Sequence, residues 1–318
     1  MTAQENTKEE LVEIRSKLKK EQRKLTLRKI VSNRLMITGG VTIIGLTLIA
    51  IFGPMIVKFT PYEMEVSDRL KAPSSTYLLG TDNFGRDLLT RIVYGARTTI
   101  GVGLSVTLLA SIMGLIIGLY SSYYKTLDHI LMRISDGLMA IPGVLLAIAL
   151  MAALGPAVRN VIIALSIVFT PSIARIVRSI ALSIKEQTFV EAVKSQGASS
   201  TRIIWLHIMP NTISPLIVQA TFIFADAMIT EAALSFLGVG VPAPDPSWGN
   251  ILSDGKTVIF NAWWMTVFPG IMIVLAVLSL NLLGDGLRDF IDPHVKSSKK
   301  KKRRKKKKPH ETKEAVAK

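Results

Sequence analysis

TTIGVGLSVTLLASIMGLIIGLYSSYY, residues 98–124, carries no charged side chain and is bounded by Arg97 and Lys125. A bilayer core of roughly 30 Å needs about 20 apolar helical residues, so this stretch suffices to cross one. Within it Gly114 and Gly118 stand four apart, with Ala110 one turn earlier, and small residues at that spacing let two helices approach closely. Working outward, the same pattern recurs. Leu35 to Val57 is uncharged between Arg34 and Lys58, and Gly137 to Leu154 follows Arg133 and Asp136. Val158 to Ile180 is less clean, because Arg159, Arg175 and Arg178 lie near its ends and are read as snorkelling toward head groups. Ile213 to Leu237 carries Asp226 and Glu231, and Ala262 to Gly284 is again uncharged. The expectation is an all-α integral membrane protein of six transmembrane helices.

Charge supports this and orients it. The 318 residues are 49% hydrophobic, yet carry 39 Lys and Arg against 23 Asp and Glu, a net charge of +16. Residues 1–34 hold 10 basic and 5 acidic groups, and residues 285–318 hold 14 and 5, so the centre is nearly neutral. A basic chain can mean nucleic acid, but here the charge flanks an apolar body, and no nucleic-acid partner is expected. With both tails, the Lys125–Arg133 turn and the Arg175–Arg202 stretch inside, 31 basic residues face the cytoplasm against 8 outside. That bias predicts cytoplasmic N- and C-termini. The resulting organisation is a basic tail (1–34), a first span with an outer segment (35–97), a five-span core with an inner loop at 185–210 (98–284), and a basic disordered tail (285–318). The lysine-rich run 299–308 should attract anionic lipid head groups at about 1 kcal/mol per basic residue. Residues 1–34 do not read as a secretory signal, since the first apolar run follows them. Without cysteine there is no disulfide framework or thiolate site. The four histidines are scattered, so no metal site is expected.

The inner loop is too long for a connector. The stretch Glu186 to Gly197 suits a short helix with Phe189, Val190 and Val193 on one face and Glu191 and Lys194 on another. Gly197 is a natural stop, Ser199 or Ser200 suits the next cap, and Ile203, Ile204, Trp205 and Leu206 follow until Pro210, expected to end that helix. From the pattern alone, an interfacial helix lying on lipid competes with a partner-docking element. On the outer side, Leu79-Gly80-Thr81-Asp82-Asn83-Phe84-Gly85-Arg86-Asp87 precedes Leu88, Leu89, Ile92 and Val93 at helical spacing. That predicts a short amphipathic helix lying at the outer interface, either a capped connector leading into the second span or a partner-docking element.

The inner loop resembles the cytoplasmic loop of bacterial ABC importer permeases: Glu-Ala-Ala, three residues, Gly, nine residues, then Ile-x-Leu-Pro. Glu191, Ala192, Gly197 and Pro210 match, whereas Val193, His207 and Met209 depart. The Leu79–Asp87 stretch, Tyr94-Gly95-Ala96-Arg97, the run Glu231 to Val241 and Pro246-Ser247-Trp248-Gly249 resemble the C-type permeases of the peptide and nickel family. The resemblance covers about residues 30–294. It implies a type I ABC importer permease fold in a bacterial cytoplasmic membrane, paired with a homologous second permease, two ATPase subunits and an extracytoplasmic substrate-binding protein. The loop, with Glu191, Ala192, Gly197, Ile203, Ile204, Trp205 and Pro210, would then couple to an ATPase. The implied cargo is di- or oligopeptide, with nickel chelates or glutathione as alternatives.

A phosphate-cradling Walker A loop needs four residues between its glycine and Gly-Lys-Ser/Thr. Gly255-Lys256-Thr257 has five after Gly249, and it falls on the outer side. The chain is therefore expected to be non-catalytic, with ATP and Mg bound only by partner subunits. Asp226, with Gln219 one heptad earlier and Thr230 one turn later, forms a polar stripe that is either pathway lining or a buried interhelical contact. Glu231 lies on another face, suited to packing or gating. Asp82, Arg86, Asp87 and Trp248 are candidates for binding-protein docking or a gate, and the stiff Pro242–Trp248 segment for a plug, a docking surface or a rigid link. An ATP-independent secondary transporter is the main competing class. It would leave the inner loop unexplained.

Overall fold

The computed structural model describes residues 31–291 and, before them, Lys17, Leu18, Lys20, Glu21, Lys24, Leu25 and Arg28. Nine helices are labelled here: α1 (Arg34–Phe52), α2 (Leu88–Tyr123), α3 (Lys125–Met139), α4 (Gly143–Leu154), α5 (Val158–Lys185), α6 (Thr188–Ser195), α7 (Ser200–Phe236), α8 (Trp248–Lys256) and α9 (Trp264–Ile291). Among the described residues the only β pairing is an isolated bridge between Thr81 and Asp87. Five helices (α1, α2, α5, α7 and α9) are long and apolar enough to cross a membrane.

The expected third span differs. Gly137 to Leu154 is not one helix: α3 ends at Met139, α4 starts at Gly143, and the two meet at 95°. Pro142 is the reason, since it lacks an N–H and drives the preceding residue out of the helical region. At 12 residues α4 rises only about 18 Å, short of a bilayer core. A sixth crossing exists only if the bent pair counts as one span.

The outer amphipathic helix is likewise not separate. α2 starts at Leu88 and runs 36 residues without a break, and Leu88, Ile92 and Val93 are buried in it. Of the two readings, the capped lead-in to the second span is the observed one. Asp87 supplies the cap, accepting from the Thr90 backbone N–H at 2.8 Å.

Glycines set the helix contacts. A Cβ placed on Gly118 would lie 2.6 Å from the Ala174 carbonyl oxygen, and one on Gly114 2.6 Å from Ile173, so α2 and α5 approach backbone to backbone. α3 is fastened to α5 by ion pairs. Arg178 Nη2 donates to Asp128 Oδ2 at 2.7 Å, and Arg175 Nη2 to Asp136 Oδ1 at 2.7 Å. Two of the three arginines expected to snorkel, Arg175 and Arg178, therefore have carboxylate partners, which the fold of α3 back onto α5 brings within reach.

Pro210 does not end a helix. It sits in the first turn of the α-helical stretch Met209–Phe236, after a π-helical turn Ile203–Ile208 in which the Met209 N–H reaches back to the Ile204 carbonyl. That wider turn absorbs the missing proline N–H, so α7 stays continuous.

Candidate coupling and gating sites

The inner element is built from α6, Gly197 and the start of α7. α6 is amphipathic: Val190 is buried, while Phe189, Glu191, Ala192 and Lys194 are exposed. Gly197 adopts φ +81°, the left-handed conformation that glycine takes without strain, and the Ala198 N–H closes back onto the Val193 carbonyl. Ser199 then caps α7 by accepting from the Arg202 N–H at 3.4 Å. Ile203, Ile204 and Ile208 are fully enclosed with Leu119, Val177, Ala181 and Val190. Ile203 and Ile204 thus spend their apolar surface inside this chain, where the sequence expectation offered it to a partner. The exposed apolar groups of the element are Phe189 and Leu206. Contacts that spacing does not reveal tie the end of α5 and the start of α7 to the end of α2. Lys185 Nζ donates to the carbonyls of Ser122 at 3.0 Å and Tyr123 at 3.3 Å, and half-buried Trp205 Nε1 donates to the Tyr120 hydroxyl at 3.4 Å. Pro210 and Gly197 are exposed.

The opposite end of α2, about 54 Å away at 1.5 Å per residue over 36 residues, carries a second cluster. Asp82 Oδ1 accepts from the backbone N–H groups of Phe84 (2.8 Å) and Arg86 (2.9 Å), and its Oδ2 accepts from Arg86 Nε at 2.6 Å. Arg91 Nε lies 3.5 Å from the same oxygen, and Arg86 Nη2 3.5 Å from Asp254 on α8. Two cations thus face two anions. Partial burial pushes the Asp254 carboxyl up, against the pull of Arg91 and Arg86. Trp248 is fully buried, its indole N–H donating to the Ile92 carbonyl at 3.0 Å and its backbone N–H to Thr99 Oγ1 at 3.2 Å. Asp82, Arg86, Asp87 and Trp248 are all buried, so they present no docking surface. Asp82 and Arg86 bind the segment before α2 to Asp254 on α8, Trp248 fixes α8 to α2, and Asp87 caps α2. Tyr62 on the same segment donates to Asp245 Oδ1 at 2.8 Å, which pushes its phenol up.

On α7, Asp226 is exposed and Gln219 and Thr230 are half-buried on the same side. Thr230 Oγ1 donates to the Asp226 carbonyl at 2.7 Å. Glu231 is fully buried. Ser235 Oγ donates to its Oε1 at 2.7 Å, and its buried Oε2 has no hydrogen-bond partner. Among the described residues, no group of three or more acidic or imidazole side chains is arranged to hold a metal.

A family profile described as the binding-protein-dependent transport system inner membrane component matches residues 110–297. The chain belongs to that family. A second profile, the N-terminal TM domain of oligopeptide transport permease C, matches residues 21–73 of this permease. The permease is similar to the dipeptide transport system permease protein DppC of Alkalihalophilus pseudofirmus, 46% identical over 271 residues that cover 85% of this chain and 89% of the relative. It is also similar to the glutathione transport system permease protein GsiD of Pectobacterium atrosepticum, 37% identical and covering 85% and 90%. In fold it resembles a chain of the inward-facing MetNI methionine ABC transporter, with a TM-score of 0.54 at 20% identity, covering 63% of this permease and 96% of that chain.

Proposed function

We propose that this permease is one of two non-identical membrane subunits of an ATP-driven importer, forming half of a translocation pathway for di- and oligopeptides. One observation carries the reading. The α6–Gly197–α7 element is anchored by Val190, Ile203, Ile204 and Ile208, yet turns Phe189, Glu191, Ala192 and Leu206 outward. A free-standing channel has no use for a rigid, exposed helical corner of this kind. A subunit driven by a separate ATPase needs one. The corner is continuous with α7 and fastened to α2 and α5, so force applied at α6 moves the bundle as packed helices (the mechanical basis of alternating access). The charge bias supports six crossings, with both termini and the corner in the cytoplasm of a bacterial cell and the Asp82–Asp254 cluster outside. There the cluster would hold the gate segment against α8 while a substrate-binding protein docks nearby. Asp226, Gln219 and Thr230 would line the pathway.

The peptide cargo rests on the relatives. A relative named for glutathione shows that the fold tolerates other cargo. The test is reconstitution with the neighbouring permease and ATPase genes. Gly197→Pro or Glu191→Arg should abolish uptake while the protein still inserts. Normal substrate-stimulated ATP hydrolysis in either variant excludes the coupling role. The peptide assignment is checked by identifying what the partner binding protein retains.

A further inference from the structure

A cavity of about 360 Å³ opens beside the exit of α1, walled by Ile56, Leu78 and Leu89 and polar at Lys58, Thr76 and Asp87. The volume lies in the lower part of the range of small-molecule sites. It is separate from the Asp82–Arg86–Asp254 cluster and from the α6 corner, and neither role uses it.

Its chemistry is two-signed. Asp87 is 6% exposed, and both bonds it receives, from the Thr90 N–H at 2.8 Å and the Thr90 hydroxyl at 2.6 Å, end on Oδ2. No hydrogen bond ends on Oδ1. Asp87 lines the cavity, so a ligand bringing N–H groups can bond that open oxygen. Lys58, on the rim, is exposed and makes no ion pair among the described residues. The apolar wall continues directly onto the end of α1, where Phe52, Met55 and Ile56 are 52%, 83% and 78% exposed. Such a surface at the end of a membrane-spanning helix faces acyl chains. One ligand class satisfies all three features at once: a primary ammonium for Asp87, a phosphate for Lys58, and hydrocarbon for the wall.

We propose that this cavity seats the headgroup of a zwitterionic phospholipid bearing a primary ammonium, drawn from the outer leaflet. The assignment rests on the proposed topology, which puts the Lys58 end of α1 at the outer face. A primary ammonium offers three donors, whereas a trimethylated headgroup offers none. A purely anionic headgroup satisfies Lys58 but meets Asp87 with no donor of positive charge. The site is therefore selective between lipids of equal chain length.

The test uses the intact transporter complex in nanodiscs containing equal parts of phosphatidylethanolamine, phosphatidylcholine and phosphatidylglycerol, with lipid retention read by native mass spectrometry. Phosphatidylethanolamine should be retained about tenfold over either competitor, the ratio that one charge-assisted hydrogen bond supplies. Asp87→Asn, which keeps a good N-cap, and Lys58→Gln, on an exposed side chain, should each erase most of that preference. Equal retention of the three lipids, or an unchanged preference in both variants, overturns the proposal. Weaker docking of the binding protein to Lys58→Gln, with lipid retention unchanged, also overturns it and gives the cavity to a protein segment. Labelling a cysteine placed at the exposed Ser75 from the outside reads the topology separately, so a failed lipid site is distinguished from a failed orientation.

Discussion

Gly197 sits at φ +81°, and an added Cβ would meet nothing within 4 Å, so only the backbone, not space, demands glycine there. The left-handed conformation costs an ordinary L-residue roughly 1–2 kcal/mol, and asparagine less than alanine. The expected order of damage to ATPase coupling is therefore Gly197→Pro, then Gly197→Ala, then Gly197→Asn, measured as transport-stimulated ATP hydrolysis in proteoliposomes. A flat series would show that the turn conformation is immaterial. Asp82 makes the opposite case, because its value lies wholly in its partners. Asp82→Asn leaves Arg86 and Arg91 buried without their shared anion, and removing one partner of a buried pair typically costs about 3–5 kcal/mol. The variant's complex should melt distinctly lower. An unchanged melting temperature would mean that water or Asp254 compensates. Glycine at 197 was legible as a helix stop from its neighbours alone. The role of Asp82 was not, because Arg91 and Asp254 are brought to it by packing.

Among elements, α2 and α5 meet backbone to backbone at Gly114 and Gly118. Gly118→Leu would drive a side chain into the Ala174 backbone and the Val177 side chain, while Gly101→Ala, with open space around it, should be neutral. Comparing yields of folded permease for the two separates packing from mere hydrophobicity. The Asp128–Arg178 pair predicts that exchanging the two residues restores the α3–α5 contact that either single reversal breaks. A double-mutant cycle on stability measures it. The segment before α2 carries its own pH dependence. Asp68 is hydrogen-bonded by Lys71 first and by Tyr77 (2.6 Å) second, which lowers its carboxyl and pushes the Tyr77 phenol up to about 12. A depressed carboxylate contributes stability above its unfolded value, near 4, and loses it as the pH falls through the lower folded value. Protease resistance of residues 58–87 should thus hold from neutral pH to about 4 and weaken below, and Asp68→Asn should remove that dependence. Hydropathy made α1, α2, α5, α7 and α9 legible. It misjudged the third span because it averages over Pro142, and the tail of α3 resembles membrane sequence until the chain turns. It also placed a stop at Pro210, where a π-helical turn carries the helix through.

For the whole molecule, orientation is the property on which the coupling and gating assignments depend. The natural chain has no cysteine, so single substitutions report one position each. Ser195→Cys at the α6 corner should react with an impermeant thiol reagent only from the cytoplasmic side, and Asn261→Cys, exposed before α9, only from the outside. Reaction of both from the same side would put an even number of crossings between them, where the six-span reading needs α7 alone, and would break that reading. The oily body, five of the six expected spans, the charge asymmetry and the helix–glycine–helix corner were determined by the sequence itself, because each depends on neighbours within a turn or two. Tertiary structure decided which arginines are paired, that Ile203 and Ile204 face inward, and that Asp82, Arg86, Asp87 and Trp248 form an internal brace. Those are relations between residues as far apart as 92 and 248, and only packing brings their donors and acceptors within 3 Å.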